Sequence, residues 1–585
     1  MKIRIFYILL PVVFFASACN DDYLERYPLS ELAPATYFRT ANELRNYTNG
    51  FYTLLPDEDG IYNYSQGTLA ADDEARNGLS AEIQGNRVTP SSDGGWVWSD
   101  LRKINFFLAY SHQCTDEAAR LQYEGVARFF RAYFYFDKVV RFGDVPWYDT
   151  VLENNDTEAL NRPRDSRKVV FARMLEDIDF AIQNLPNQKH ANLVTRWTAL
   201  AFKSRMCLFE GTFRKYHGLG DWQEVLQQGV AASEQLMSSG TYTIYTGNPQ
   251  TAYHELFIAD NAITGEMILA RQYNASVPLL HRANYYMLTA SYGRPGLQKS
   301  LVNSYLMADG TRFTDIPGYQ TMSFYEETRN RDPRMAQTIR TPGYKRIGSN
   351  VVSVPDFSTC VTGYQYVKYI LSPAFDAGQS MNDLPIFRYA EVLLNFAEAK
   401  AELGTLTQAD IDKSIKLLRD RVGMPNLSLT AANANPDPYL AGEYPHVSAG
   451  THTGVILEIR RERRIELVKE GHRYRDLLRW KEGARLAKPF YGMYFPGVGE
   501  YDLDRNGTID LVIYDGQAPA AVPGVQYQRL GELVLENGRN GGRIVNLPNI
   551  IKTWDENKDY FYPIPTQELQ LNTNLKQNPG WQSGG

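Results

Sequence analysis

Apolar residues recur at helical spacing in four stretches of the chain. Val126, Phe129, Phe130, Tyr133 and Phe134 fall at i, i+3, i+4, i+7 and i+8, one stripe of an amphipathic helix. Val170, Met174, Ile178, Ala181, Ile182 and Leu185 form a second stripe, stopped by Pro186. Trp197, Leu200, Ala201, Ser204 and Leu208 form a third, whose end is expected near Gly211. Ile386, Tyr389, Ala390, Leu393, Leu394, Ala397 and Ala401 form a fourth, with Gly404 as the expected C-cap. Residues 411–422 read as its antiparallel partner, stopped by Gly423-Met424-Pro425.

Large and small residues interleave in these segments, and small ones such as Ala397 and Ala401 let helices approach closely. Helical hairpins of this kind stack because none buries its apolar face alone. The spacing is not a clean repeat of roughly 34 residues. The pattern predicts a mainly α fold: a tetratricopeptide-like helical hairpin scaffold with large loop-rich insertions and a few short strands. The frame is assigned mainly to 35–55, 100–240, 385–423 and 455–485. The stretches 56–98 and 240–384 are assigned to a loop-rich ligand-binding part, and 486–550 to a C-terminal insertion; 424–452 is also irregular. Loops of this length are functional or disordered. Their aromatic content argues against disorder.

The N-terminus alters the picture. Met1, Lys2 and Arg4 precede an apolar run over 5–15, then Ala16-Ser17-Ala18-Cys19. That order is a secretory signal, so 1–18 is expected to be removed, leaving 19–585. The run is shorter than the roughly 20 residues a membrane span needs, and Pro11 interrupts it. Cys19 after small residues resembles a bacterial lipobox, in which the thiol is lipidated. Ala16 departs from the Leu or Val usual there. The plainer alternative is an ordinary cleavage site followed by a free or disulfide-bonded cysteine. Asn20-Asp21-Asp22 resembles the signal that sends lipoproteins to the outer face of the cell.

A net charge of −6 disfavours a nucleic-acid partner. Cys114, Cys207 and Cys360 are far apart and lack CxxC spacing, which argues against a disulfide framework or zinc. The chain has no P-loop, dinucleotide fingerprint, HExxH or G-x-S-x-G. No enzymatic activity and no required cofactor are therefore expected. Over 458–466, Glu458, Arg460, Arg461, Glu462, Arg463, Arg464 and Glu466 mix signs within three turns. A structural network is the expected use; a glycosidase acid–base pair is the catalytic alternative. Arg463 with Glu466, and Glu458 with Arg461, are spaced to pair.

One motif suits a metal. Asp502-Leu503-Asp504-Arg505-Asn506-Gly507-Thr508-Ile509-Asp510 places side-chain oxygens at positions 1, 3 and 5, and a glycine at 6. That is a loop for a hard cation such as a structural Ca2+, with Thr508 offering its carbonyl. Ile513 stands where an EF-hand has Glu, so Asp510 would supply the charge. The alternative is a polar hairpin turn. For ligand contact, Trp96 and Trp98 flank Val97 before a helix, and Trp98 is the one expected to face the core. Asp72, Asp73, Arg76 and Asn77 lie in a preceding loop with hydrogen-bonding groups for hydroxyls.

Several segments, in order, resemble the SusD/RagB family of outer-membrane nutrient-binding lipoproteins. They begin with Tyr23-Leu24-Glu25, Tyr27-Pro28 and Ala35-Thr36-Tyr37-Phe38. Arg131-Ala132-Tyr133-Phe134-Tyr135-Phe136 runs into Arg141-Phe142-Gly143-Asp144-Val145-Pro146. Pro385-Ile386-Phe387-Arg388-Tyr389-Ala390-Glu391 precedes Ala397-Glu398-Ala399. The most specific are Arg463-Arg464-Ile465-Glu466-Leu467, Glu470-Gly471-His472-Arg473-Tyr474 and Asp476-Leu477-Leu478-Arg479-Trp480. Tyr562-Pro563-Ile564-Pro565 and Gln577-Asn578-Pro579-Gly580-Trp581 close the chain. The resemblance implies a lipid-anchored outer-membrane protein facing outward, which binds a glycan for a SusC-like TonB-dependent transporter. It implies an aromatic sugar platform near Trp96, and brings Tyr292 and Arg294 toward the site. A peptide-binding RagB-like receptor is the alternative cargo reading, and a surface glycoside hydrolase the alternative class.

Overall fold

The computed structural model describes residues 37–63, 71–153 and 155–582. Cys19 and the 1–18 segment lie outside the described residues. The elements used below run in the order α1 (Ala41–Asn49), β1 (Glu74–Ala75), α2 (Ser99–Tyr110), α3 (Glu117–Phe142), α4 (Arg167–Asn184), α5 (Arg196–Tyr216) and α6 (Trp222–Ser238). They continue with β2 (Met267–Arg271), α7 (Ala283–Leu288), β3 (Gly296–Leu297), β4 (Leu384–Arg388), α8 (Tyr389–Glu402), α9 (Gln408–Asp412) and α10 (Ile415–Arg421). Next come α11 (Thr453–Glu466), α12 (Arg473–Arg479), β5 (Phe490–Phe495), β6 (Gly499–Tyr501), β7 (Leu511–Tyr514), β8 (Gln526–Arg529), β9 (Gly542–Asn546) and α13 (Thr566–Leu571).

The mainly α scaffold with a few short strands is the one the apolar spacing predicts. Helix α3 starts where the Asp116 side chain accepts from the Ala119 amide, capping an orphan donor. Its Phe129 and Phe130 are fully buried, Phe129 against Phe202 of α5 at 5.5 Å and Phe130 against Tyr52 at 5.1 Å. The guanidinium of Arg131 clamps Asp177 of α4 with two bonds of 2.6 and 2.7 Å. Helices α5 and α6 pack on each other, and α8 packs on both and on α11. The strands form small units: β1–β3, β2–β4 and β5–β9 are antiparallel pairs, and β6–β7–β8 is a three-stranded sheet. Among the described residues no helix is long and apolar enough to cross a membrane. Cys114, Cys207 and Cys360 are free and buried, and burial pushes the Cys207 thiol up to about 12.

Three boundaries differ from the sequence expectation. Helix α5 does not end near Gly211 but runs on to Tyr216. Gly211 is there because Leu226 of α6 presses on it: a Cβ would lie 2.5 Å from the Leu226 Cδ2. Ile386 belongs to strand β4, and the helix begins only at Tyr389. Pairing of β4 with β2, Met267 opposite Arg388, overrides the helical spacing. The stretch 411–422 is not one helix. It breaks between α9 and α10 at Ser414, whose hydroxyl donates back to the Asp410 carbonyl at 2.5 Å.

The polar face of α11 is buried along with its apolar one: every residue from Gly454 to Glu466 is inside. Glu466 meets Arg388 at 2.6 Å, Arg334 at 3.0 Å and Arg421. Glu462 meets Arg334 at 2.6 Å and Arg419 at 2.8 Å. The local pair Glu458–Arg461 forms at 2.8 Å. Arg463 does not take Glu466; it bonds Asp476 of α12 at 2.9 Å. Asp476 also holds Arg479, which reaches Glu398 of α8. Burying charge is costly unless each ion is paired and hydrogen-bonded, and here Glu466, Glu462 and Asp476 each have two or more guanidiniums. Burial pushes the Glu466 carboxyl up, but Arg421, Arg388 and Arg334 outweigh it and hold it far below the usual range.

Asp72 and Asp73 belong to the same network, which corrects their reading as ligand contacts. Their side chains are 1 % and 6 % exposed. Arg473 clamps Asp72 with bonds of 2.6 and 2.9 Å, and Arg485 adds a third at 2.7 Å. Arg464 takes Asp73 at 2.7 Å. No carboxylate oxygen so engaged is available to a sugar hydroxyl at the surface.

Glu466→Ala removes a buried carboxylate shared by Arg388, Arg334 and Arg421 and should cost about 3–5 kcal/mol, read by chemical denaturation. Asp72→Asn should be similarly severe, whereas Asn77→Ala, at an exposed position, should change stability by less than about 0.5 kcal/mol. Because the Glu466 pKa is depressed by folding, its contribution is complete above the ordinary carboxylate range and lost as pH falls. The melting temperature should therefore hold near neutrality and drop below about pH 4–5; a drop beginning above neutrality would contradict this assignment.

Candidate functional site

Strands β1 and β3 are only two residues long, but their pairing brings distant loops together. Glu74 lies opposite Leu297 and Ala75 opposite Gly296. One step beyond the ladder, the Asn77 amide donates to the Gly293 carbonyl at 2.8 Å. The chain turns there with positive φ at both Gly293 (+85°) and Arg294 (+54°). Glycine at 293 suits the positive φ, and Arg76 packs beside it, its Cβ 3.5 Å from where a Cβ at 293 would stand. Four of the residues singled out in the sequence, Arg76, Asn77, Tyr292 and Arg294, thus meet in one place. Asn77 is exposed and Arg76, Tyr292 and Arg294 are half-buried. Arg294 is turned onto the Phe357 carbonyl, so its role is to hold the turn.

Beside them stands an aromatic step that the sequence reading missed. The Tyr292 ring meets Tyr285 edge to face at 5.3 Å and Tyr286 at 4.1 Å. Tyr286 is buried, while Tyr285 and Tyr292 are half-exposed. Exposed Arg282 bonds the Tyr292 and Tyr286 side chains, contacts that raise its pKa. Glu58 accepts from the Arg282 amide at 2.7 Å and from the Tyr62 hydroxyl at 3.2 Å. Burial raises the Glu58 pKa. Tyr62 also bonds His281 at 2.7 Å, and burial lowers that imidazole to about 4, leaving it neutral. The signal for Tyr285 and Arg282 was present only as one more aromatic-rich loop. Nothing in the chain order pairs residue 282 with 58 or 76.

Trp96 and Trp98 sit elsewhere, against α3. Here the sequence expectation is reversed. Trp96 is the core residue, 5 % exposed and edge-on to Phe142 at 4.9 Å. Trp98 is half-buried and lines a cleft of about 570 Å3 with Tyr148.

The acidic loop 502–510 joins β6 to β7 and is wound by its own side chains. Asp502 accepts from the Gly507 amide at 2.7 Å, Asn506 from the Thr508 amide at 2.8 Å and Asp510 from the Leu503 amide at 2.7 Å. One carboxylate oxygen from each of Asp502, Asp504 and Asp510 lies within 4.8 Å of the others. Burial, then the charges of Asp504 and Asp502, raise the Asp510 pKa. Such a cluster of oxygens fits a hard cation, which would relieve that repulsion. Ile513 points into the core, so position 12 offers no ligand.

Comparison with known proteins matches this architecture. Residues 266–581 match the SusD family model, and residues 22–208 match a model described as starch-binding associating with outer membrane. The chain is 22% identical to SusD-like protein P2 of Formosa agariphila over 606 aligned positions, covering 99% of each chain. A SusD-like protein of Bacteroides fragilis superposes with a TM-score of 0.67 at 21% identity, over 95% of this chain and 100% of that one. A SusD-like carbohydrate-binding protein of the same species gives 0.65 at 23% identity, over 92% of this chain and 100% of that one. With more than half its length matched by the family model and the same helical frame, the chain belongs to the SusD family.

Proposed function

We propose that this protein is a surface lipoprotein, anchored through Cys19 in the outer membrane, that captures a glycan and delivers it to a SusC-like TonB-dependent transporter. The observation that carries the binding reading is the Tyr285–Tyr292 step, with Arg76, Asn77 and Arg282 around it. Flat, half-exposed rings suit the apolar faces of sugars, and the flanking amide and guanidiniums suit their hydroxyls. The described nature of one relative as carbohydrate-binding supports the same reading. We read the role as binding without catalysis. A glycosidase needs one carboxyl raised for proton donation, whereas arginines hold Glu462 and Glu466 low and inside.

Affinity electrophoresis against a panel of polysaccharides tests the site. Tyr292→Ala should weaken retention about ten-fold or more; unchanged retention removes that ring from the site. Retention of peptides and not glycans would favour the RagB-like cargo. Incubation with the retained glycan should release no new reducing ends, and robust turnover would overturn the binder reading.

We further propose that Asp502, Asp504, Asn506, the Thr508 carbonyl and Asp510 hold a structural Ca2+ that pins the β6–β7 turn. Calcium at a hundredfold excess over Kd should stabilise the protein by about 2–3 kcal/mol. EDTA should reverse this and Asp504→Ala should abolish it. A melting temperature indifferent to calcium would leave a self-bonded polar turn.

A further inference from the structure

The cleft beside Trp98 is built from four parts of the chain: the 96–105 stretch that enters α2, the 146–152 segment that follows α3, Leu160 with Asn161, and the 568–575 stretch that includes most of α13. Its volume, about 570 Å3, lies in the range of small-molecule sites, roughly 300–1,000 Å3. The walls are fixed. Asn105 of α2 is 2 % exposed, and its amide donates to the Tyr148 and Thr150 carbonyls at 3.0 and 3.1 Å. Trp98 and Tyr148 meet edge to face, centroids 5.8 Å apart. Two further lining residues, Leu160 and Leu571, are exposed apolar side chains.

One charge in this cleft breaks the rule kept in the core. Glu568 of α13 is half-buried. Burial is the sole cause of its raised pKa. Among the described residues its carboxylate has no cation and no hydrogen-bond donor. The cation that shares the cleft, Arg102, is directed onto the Leu152 carbonyl instead. A partly desolvated carboxylate without a partner is unfavourable. Trp98 and Tyr148 line the same cleft, and aromatic faces carry negative potential that draws cations, as Lys138 at 5.7 Å from the Trp98 centroid and Arg162 at 6.0 Å from that of Tyr148 already show. An anion and two π faces around an apolar space are complementary to a cation with an apolar body.

We propose that this cleft is a second ligand pocket that takes an amphipathic amine, its ring or alkyl body on Trp98 and Tyr148 and its protonated nitrogen on Glu568. The inference is independent of the glycan reading and shares no residue with the Tyr285–Tyr292 step. Calorimetry on the full chain with tryptamine, and with tryptophol as its neutral counterpart, tests it. Tryptamine should bind at one site per chain, about ten-fold tighter than tryptophol. Glu568→Gln, at an unpaired position, should abolish that preference and leave tryptophol binding in place. Trp98→Ala should weaken both ligands, and Tyr292→Ala neither. If Trp98→Ala does not fold, Leu160→Trp at its exposed position should obstruct both ligands instead. Equal affinities for the two probes, a preference that survives Glu568→Gln, or no saturable binding of either would overturn the proposal.

Discussion

A fourteen-residue helix, α11, lies inside the protein with its charges on. Its glutamates and arginines face β4, α8, α10 and α12, and each of those elements returns a charge of the opposite sign. Arg388, Arg419, Arg421, Glu402 and Asp476 come from elements far apart in sequence. Removing any one partner breaks buried, hydrogen-bonded ion pairs, a cost that favours this docking arrangement. Apolar packing alone, being non-directional, would tolerate alternatives that this lattice excludes.

The lattice also sets the position of the candidate glycan site. Asp72 and Asp73 tie the start of β1 to Arg464, Arg473 and Arg485, and Glu74 pairs with buried Lys469. With three residues of chain so fixed, Arg76 and Asn77 emerge at a defined point beside Gly293. The tyrosine step reaches the same point through β3. The binding groups are therefore the ends of a ribbon whose middle is anchored in the core. That is the usual division between a rigid scaffold and the residues it presents.

The same contrast marks where chemistry toward partners is available. In the core every carboxylate discussed is matched by guanidiniums. At two places near the surface the matching stops: the three aspartates of the 502–510 loop, and Glu568 in the Trp98 cleft. Each is a charge held by the fold without an equal opposite charge. These are the places at which a cation and an amine are proposed.

The apolar spacing by itself determined the helices α3, α4, α5 and α8, because a buried stripe must recur with the helical period. It also determined the mainly α class, and the ordered motifs from Tyr23 to Trp581 carried the family. The mixed charges of 458–466 were legible as a structural network, since carboxylates crowded by arginines are held ionised. Tertiary structure alone decided which charges meet. Arg463 chose Asp476 over its own neighbour Glu466, and Asp72 and Asp73, polar residues in a loop, went inside. It also decided that Ile386 is strand, through β2, and that Trp96 and not Trp98 fills the core. Spacing along a chain reports which residues share a face of one element. It contains no term for the partner that element meets, and for Asp72, Ile386 and Trp96 that partner, Arg473, Met267 or Phe142, lay tens to hundreds of residues away.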